Sequence, residues 1–153
     1  MAIARGAGTE IIRTGYWNYN TANTDIKKLI IGVQHHIYTV LSFVMMNHNA
    51  VGTANVGCTV SLFGMELDGG NPAQTIKLFN VGALDGQKTY VWNDKFSFNG
   101  CEPSALTGAL STEAEQDLVV DQGTTTAQIL QMQKGHNDDN WSCCITYIDQ
   151  NNA

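Results

Sequence analysis

Hydrophobic and polar residues alternate along several short stretches of this chain, with the period of a strand that buries one face. The clearest stretch is residues 89–98, whose apolar face carries Tyr90, Trp92, Phe96 and Phe98. A second lies near the end of the sequence, at residues 141–148, where Trp141, Cys143, Ile145 and Tyr147 share a face. Both stretches are predicted to be half-buried strands.

Other stretches are predicted strands because they are rich in β-branched and aromatic residues. Residues 37–46 (IYTVLSFVMM) are apolar on both faces, which predicts a buried central strand. Residues 58–67 predict a strand with a possible bulge at Gly64. Further strands are predicted at residues 29–33, 75–81, 118–120 and 125–132, and a capping-box pattern predicts one short helix near residues 112–118.

Turn sequences rich in Gly, Asn and Asp separate these strands, at intervals of about ten residues. No strand–helix–strand rhythm is visible, so a parallel sheet is not expected. The pattern predicts a mainly β fold: an antiparallel β-sandwich with jelly-roll-like connections.

The first 24 residues allow two interpretations. They form either an N-terminal arm or the first strand of a sandwich made by residues 25–153. Gly6 and Gly8 would let an arm leave the domain and add a strand to a neighbouring subunit. The candidate partner-binding residues are Arg5, Ile11, Ile12, Arg13, Tyr16 and Trp17. Both interpretations remain open from sequence alone.

Composition narrows the classes of partner. The chain has 153 residues, enough for one domain with its own core, and only 14% are charged. The formal net charge is −6 and the eight basic residues form no stripe, which argues against nucleic-acid binding. No apolar stretch is long enough to span a bilayer, and the first residues lack the apolar core of a secretory signal. We therefore expect a soluble protein that binds neither nucleic acid nor membrane.

Candidate metal ligands are present but poorly spaced. His35 and His36 are neighbours, and neighbours on a strand point to opposite faces. Asp138 and Asp139 lie in a GHNDDN loop that lacks the full calcium-loop pattern, so an exposed hairpin tip is expected. No metal or other cofactor is predicted.

The sequence also contains no recognisable catalytic motif. No G-x-S-x-G, cysteine-protease or phosphate-loop signature occurs. Paired carboxylates for glycoside hydrolysis could come from Glu113, Glu115, Asp117 and Asp121, although a solvated loop face is the favoured interpretation. The four cysteines, Cys58, Cys101, Cys143 and Cys144, are expected to be free thiols. The chain is predicted not to be an enzyme.

Aromatic residues leave a choice between two kinds of binding. Tyr16, Trp17, Tyr19, Trp92 and Trp141 could form a carbohydrate platform. The same residue types anchor protein interfaces, and core and interface roles are favoured here.

Four stretches together resemble small structural proteins of tailed-phage virions. They are IARGAGTEIIR (3–13), GVQHHIYTVLS (32–42), YVWNDKFSFNGCEP (90–103) and ITYIDQNNA (145–153). The resemblance implies a virion protein made in the host cytoplasm. It implies a homo-oligomer whose partners are the major capsid protein or other virion subunits. A capsid decoration (cement) protein is the first expectation; the alternatives are a tail, baseplate or adaptor component, a sugar-binding module of the virion, or a lysin-like enzyme.

Overall fold

The computed structural model describes residues 9–20, 24–50, 57–65, 74–82, 86–101 and 126–151. These residues form nine β-strands and no helix. The strands are β1 (Glu10–Tyr19), β2 (Lys27–Ile31), β3 (His36–Asn47), β4 (Cys58–Met65), β5 (Gln74–Val81), β6 (Thr89–Trp92), β7 (Phe96–Asn99), β8 (Ile129–Lys134) and β9 (Trp141–Asn151). The helix predicted near residues 112–118 and the strand predicted at 118–120 lie outside the described residues.

The strands form two antiparallel sheets that pack against each other as a sandwich, which confirms the predicted fold class. Sheet A has the order β1-β9-β3-β6, and β7 also pairs with β3; sheet B has the order β2-β8-β4-β5. If β6 and β7 are counted as one strand, each sheet has four. Most connections then cross from one sheet to the other, which is the arrangement of a jelly roll.

β3 is the buried central strand that its apolar run predicts. It pairs with β9 from His36↔Asn151 to Asn47↔Trp141, and on its other side with β6 and β7. The side chains of Val40, Phe43 and Met45 on its inner face are fully buried. Gly64 in β4 lies at a register shift and has a φ of 90°, so the bulge predicted there is confirmed.

The prediction of one continuous strand over residues 89–98 is wrong. The segment forms two strands, β6 and β7, and residues 93–95 between them leave the ladder. β3 has its own register shift opposite this gap, between Val40 and Ser42, so pairing cannot continue in one register. The indole Nε1 of Trp92 donates to the carbonyl oxygen of Asp94 at 2.8 Å and closes the short excursion. The predicted face is nevertheless correct, because the four aromatic residues all point toward the core.

The core lies between the inner faces of the two sheets. Trp141, Ile145 and Leu130 are fully buried there, and Phe79 of sheet B stacks on Trp92 of sheet A with ring centroids 4.7 Å apart. The alternation predicted for residues 141–148 is confirmed by the burial of Trp141, Cys143 and Ile145. Interleaved aromatic and aliphatic side chains from both sheets therefore join them.

Three backbone segments meet at Gly100. Its N–H donates to the carbonyl oxygen of His36 at 2.7 Å, and its carbonyl oxygen accepts from the N–H of Gln128 at 2.9 Å. A Cβ at position 100 would lie 1.8 Å from the carbonyl oxygen of Val33. Because the obstructing atom is backbone, no rotamer change could relieve that contact. This close approach requires glycine.

We expect Gly100→Ala to lower the free energy of unfolding by about 2 kcal/mol or more, as overpacking against fixed backbone does. Gly82→Ala is the matched control, because a Cβ at Gly82 would meet nothing within 4 Å. Its effect should stay within about 1 kcal/mol and be stabilising in sign. Urea denaturation of both variants measures the difference. Equal effects would contradict the close approach at Gly100.

Candidate subunit interface

Strand β1 carries five of the six residues predicted to bind a partner; the sixth, Arg5, lies outside the described residues. β1 pairs with β9 without interruption from Glu10↔Gln150 to Tyr19↔Trp141. Residues 10–19 are therefore built into the domain's own sheet A, as its edge strand. Their role in binding a partner stays a prediction, and the geometry decides which of their side chains are accessible for it.

The inner face of β1 is committed to the domain. Tyr19 is fully buried, and Trp17 packs against the core. The indole of Trp17 lies over Gly15, where an added Cβ would be 2.1 Å from its Cη2 atom. Trp17 therefore covers the backbone of its own strand, which leaves little of it for a partner.

Arg13 and Ile11 lie on the half of the inner face of β1 that is more exposed to water. Arg13 Nε donates to Asp149 Oδ2 at 2.9 Å, and His36 Nδ1 lies 2.6 Å from Asp149 Oδ1. The Asp149 side chain is about one-tenth exposed, so these contacts are partly shielded from water. One carboxylate on β9 thus joins β1 to β3 across the sheet. Ile11 is 44% exposed on the same face.

The outer face of β1 is open. Ile12 is 71% exposed and Tyr16 is 65% exposed. Tyr16 begins a row that crosses sheet A through Cys144 and Val44 to Val91. Ile12 lies opposite Ile148 in a parallel row. Among the described ladder positions of this face, Glu10 alone is charged; the others are Thr, Ser, Asn, Gln and apolar residues.

The outer face of sheet B carries basic side chains, which the described ladder positions on the outer face of sheet A lack. Lys28 and Lys77 lie at the two ends of one row, whose central residues, Gln131 and Ser61, are buried. Solvated sheet faces normally carry such charges, whereas the cores of protein interfaces are depleted in them. The low charge of the sheet A face is therefore a property typical of a contact surface.

A second polar cluster lies where the β8–β9 hairpin meets β1. Lys134 is buried, and its Nζ donates to the carbonyl oxygens of Asn137 and Asp139, each at 2.8 Å. The same Nζ lies 4.9 Å from the centroid of the Tyr19 ring. Burial lowers the pKa of Lys134 and raises that of Asp139. Burial, with the nearby charge of Asp25, raises the pKa of Tyr19 to about 12.

This cluster corrects the expectation of an exposed hairpin tip. Asp138 is exposed, but Asp139 is 1% exposed, because the hairpin folds back over the Lys134 ammonium. Asn49 holds the hairpin from the other side, through its Oδ1 atom and the N–H of Asn140 at 3.0 Å. The segment is a packed structural corner in which the Lys134 ammonium donates to the backbone carbonyl of Asp139.

The described residues do not bring the other candidate metal ligands together into a site. His35 has a φ of 65° and precedes β3, while His36 begins that strand and contacts Asp149. No group of three His, Cys, Asp or Glu residues within the described ranges is placed to hold a metal. The carboxylates proposed for glycoside hydrolysis, at positions 113, 115, 117 and 121, lie outside those ranges.

The cysteines are packed as apolar side chains. Cys58, Cys101 and Cys143 are buried, Cys144 is half-buried on the outer face of sheet A, and none of the four forms a disulfide. Burial raises the pKa of Cys58 and Cys101, and raises that of Cys143 to about 12. These three thiols therefore stay protonated at neutral pH, and a protonated thiol is a poor nucleophile.

The aromatic residues considered as a carbohydrate platform are dispersed. Tyr16 projects from the outer face of sheet A, whereas Tyr19 and Trp141 are fully buried. Trp17 and Trp92 pack against the core. The described part of the chain also contains no helix long and apolar enough to cross a membrane.

Comparison with known proteins gives little further guidance. No known protein family and no curated protein matches this chain. Among solved structures, the chain is similar to one described as "Bacillus endospore appendages form a novel family of disulfide-linked pili". The two are 12% identical, the match covers 100% of this chain and 97% of the other, and the TM-score is 0.40. A likeness at that TM-score carries no argument about either fold or function.

Asp149 was not among the residues predicted from the sequence to matter. Its contacts with Arg13 and His36 predict a measurable contribution to the free energy of unfolding. Asp149→Ala should lower the free energy of unfolding by about 2 kcal/mol, because two charge-assisted contacts are lost. Asp138→Ala is the control; Asp138 is highly exposed and lies 3.7 Å from His136, so its loss should cost less than about 0.5 kcal/mol. Chemical denaturation at neutral pH compares them. A cost for Asp149→Ala no larger than that of the control would contradict the assigned contacts.

Lys134 provides a second comparison. Lys134→Met should destabilise the fold by about 3 kcal/mol, because the carbonyl oxygens of Asn137 and Asp139 would lose the buried ammonium group that donates to both. Lys27→Met is the matched control, since Lys27 also lies over the Tyr19 ring, at 5.2 Å, but is only half-buried. It should cost under about 1 kcal/mol. Thermal and urea unfolding of both variants test the ranking, and the reverse ranking would refute it.

Proposed function

We propose that this chain is a structural subunit of a tailed-phage virion, and that it is a capsid decoration (cement) protein. In this role it binds and stabilises neighbouring capsid subunits and performs no catalytic step. The partner is the major capsid protein or another virion subunit. The virion assignment comes from the resemblance of the four sequence stretches; the fold is compatible with it, since jelly rolls occur in viral capsid proteins and also in lectins.

The observation that carries the proposal is the outer face of sheet A. This face spans four strands and has exposed apolar side chains at both ends, Ile12 and Tyr16 on β1 and Val91 on β6. Burial of the apolar side chains favours binding, and uncharged polar side chains cost less free energy to desolvate than charged ones when the partner hydrogen-bonds them. Regular strand geometry also keeps the face rigid, which reduces the entropy lost on binding.

A tail, baseplate or adaptor subunit would use the same face, and copy number separates these roles. Quantitative mass spectrometry of purified particles counts the chain against the major capsid protein. A decoration protein should be present in copies comparable to the capsid subunits, and a tail component in far fewer. Particles that do not contain the chain would refute the virion assignment itself.

We expect Val91→Lys to remove the protein from its particle without unfolding it. Val91 is 51% exposed, so lysine there should change the free energy of unfolding by less than about 0.5 kcal/mol. In a covered interface the unpaired ammonium would weaken binding by about 2 kcal/mol or more. Occupancy on particles lacking the wild-type protein is the readout.

The control is Ile31→Lys, because Ile31 is 57% exposed on the outer face of sheet B. It adds the same charge to the same fold and should leave occupancy unchanged. Loss of occupancy in both variants to the same degree would contradict the assignment of the contact to sheet A.

A further inference from the structure

Within the part of the chain that the structure describes, β1 is the edge strand with the least protection against pairing. It has ten residues and an unbroken register with β9, and among the described residues no strand pairs with its other side. Exposed edges are usually shortened, bulged or charged with lysine, since free N–H and C=O groups can pair with another chain. β1 is neither short nor bulged and carries no lysine; its charged residues are Glu10 and Arg13, and Arg13 is paired with Asp149 of its own sheet.

Each remaining edge is protected. β2 has five residues, a register shift and two lysines, Lys27 and Lys28. β5 carries Lys77 and two register shifts against β4. β6 and β7 have four residues each and are interrupted between them. The contrast within one molecule distinguishes β1 as the edge most open to pairing.

Backbone hydrogen bonds alternate in direction along β1, and this alternation shows which residues could pair with another strand. The N–H of Asn151 donates to the carbonyl oxygen of Thr9 at 3.0 Å, so residue 9 points its polar backbone at β9. Neighbouring residues alternate in an antiparallel ladder. The N–H and C=O groups of residues 10, 12, 14, 16 and 18 therefore point to the open edge, and their side chains lie on the outer face.

We propose that β1 pairs antiparallel with β1 of a second copy, about a twofold axis that passes through Thr14. Thr14 then lies opposite Thr14 of the second copy, and Ile12 lies opposite Tyr16. This proposal deepens the proposed function, because it names a second copy of the chain as one of the subunits bound. The two copies of sheet A join into one continuous sheet.

Side-chain complementarity selects this register. Both copies keep their inner faces on one side only when residues of equal parity are paired, so the axis must pass through a residue. An axis at Arg13 would place two guanidinium groups opposite each other, and an axis at Gly15 would place Ile12 opposite Asn18. The axis at Thr14 instead pairs the exposed Ile12 with the exposed Tyr16, twice, and this is a favourable aromatic–β-branched pair.

The proposed contact closes on itself. A twofold, isologous pairing consumes the edge of both copies, so the product is a dimer and cannot extend into a fibre. The charge-poor outer faces of the two copies become continuous across the axis. The dimer would therefore offer a particle one surface of twice the width.

A charge-swap experiment at position 14 tests both the pairing and its register. Thr14 is exposed, so Thr14→Lys and Thr14→Glu should fold. Each places like charges opposite each other and should raise the dimer dissociation constant at least about tenfold. An equimolar mixture of the two should recover the dimer, because lysine then faces glutamate. Sedimentation velocity over a range of micromolar concentrations measures association, and near-ultraviolet circular dichroism verifies folding.

Thr146→Lys is the matched control. Thr146 lies opposite Thr14 on β9, one strand inside the sheet, so it should leave the dimer intact. A monomeric wild-type chain, open-ended association, unweakened dimers of Thr14→Lys, or no recovery in the mixture would each overturn the proposal. Val91→Lys separates this proposal from the virion function: it should stay dimeric while losing its place on the particle, and particle binding by a monomeric wild-type chain would overturn only the dimer.

Discussion

The pairing of β9 with β3 supports the rest of sheet A. β9 lies between β1 and β3, while β3 also holds β6 and β7 on its far side. Both strands are long, and their inner faces are buried against sheet B through Phe43, Met45, Cys143 and Ile145. Because every other strand of the sheet is added to this pair, a slip of one residue would turn all these side chains toward water.

Two polar clusters, one partly shielded and one buried, lie at the ends of that framework. Asp149 on β9 contacts Arg13 and His36, and so fixes one end of β1 to β3. Lys134 and Asp139 lie at the other end, under Tyr19. A polar cluster tolerates little displacement, because a misplaced partner leaves a buried charge unpaired. The clusters therefore define the position of β1, whose outer side remains available to a partner.

Periodicity predicted the sandwich and the faces of its strands, because burial of one face imposes an alternation that sequence displays directly. The interruption at residues 93–95 was not predictable, since it depends on a register shift in β3, a strand distant in sequence. Asp149 had a weak signal: it is a lone acidic residue on the inner-face parity of residues 141–147. Such a position requires a buried partner, but Arg13 is 136 residues away and only the fold brings them together.

The loop at Asp138 and Asp139 also contains a contact that the sequence pattern could not predict. Its composition indicated an exposed turn, and Asp138 fits that description. Asp139 is buried because Lys134 reaches under the hairpin, and the parity of a strand alone cannot show such a contact. The role of β1 in binding a partner stays a prediction; the structure shows that Ile12 and Tyr16 are its apolar side chains most exposed to the outside. Which residues of β1 are committed to the core depended on the pairing with β9.

The central claim is that β1 serves two partners at once, β9 through one side of its backbone and a neighbouring subunit through the other. Residue-resolved amide hydrogen exchange tests it most directly, at protein concentrations below and above assembly. The N–H groups of Ile11, Arg13 and Trp17 should be protected at both concentrations, and those of Ile12, Thr14 and Tyr16 only in the assembled state. Protection of the second group at the lower concentration, or its rapid exchange at both, would contradict the claim.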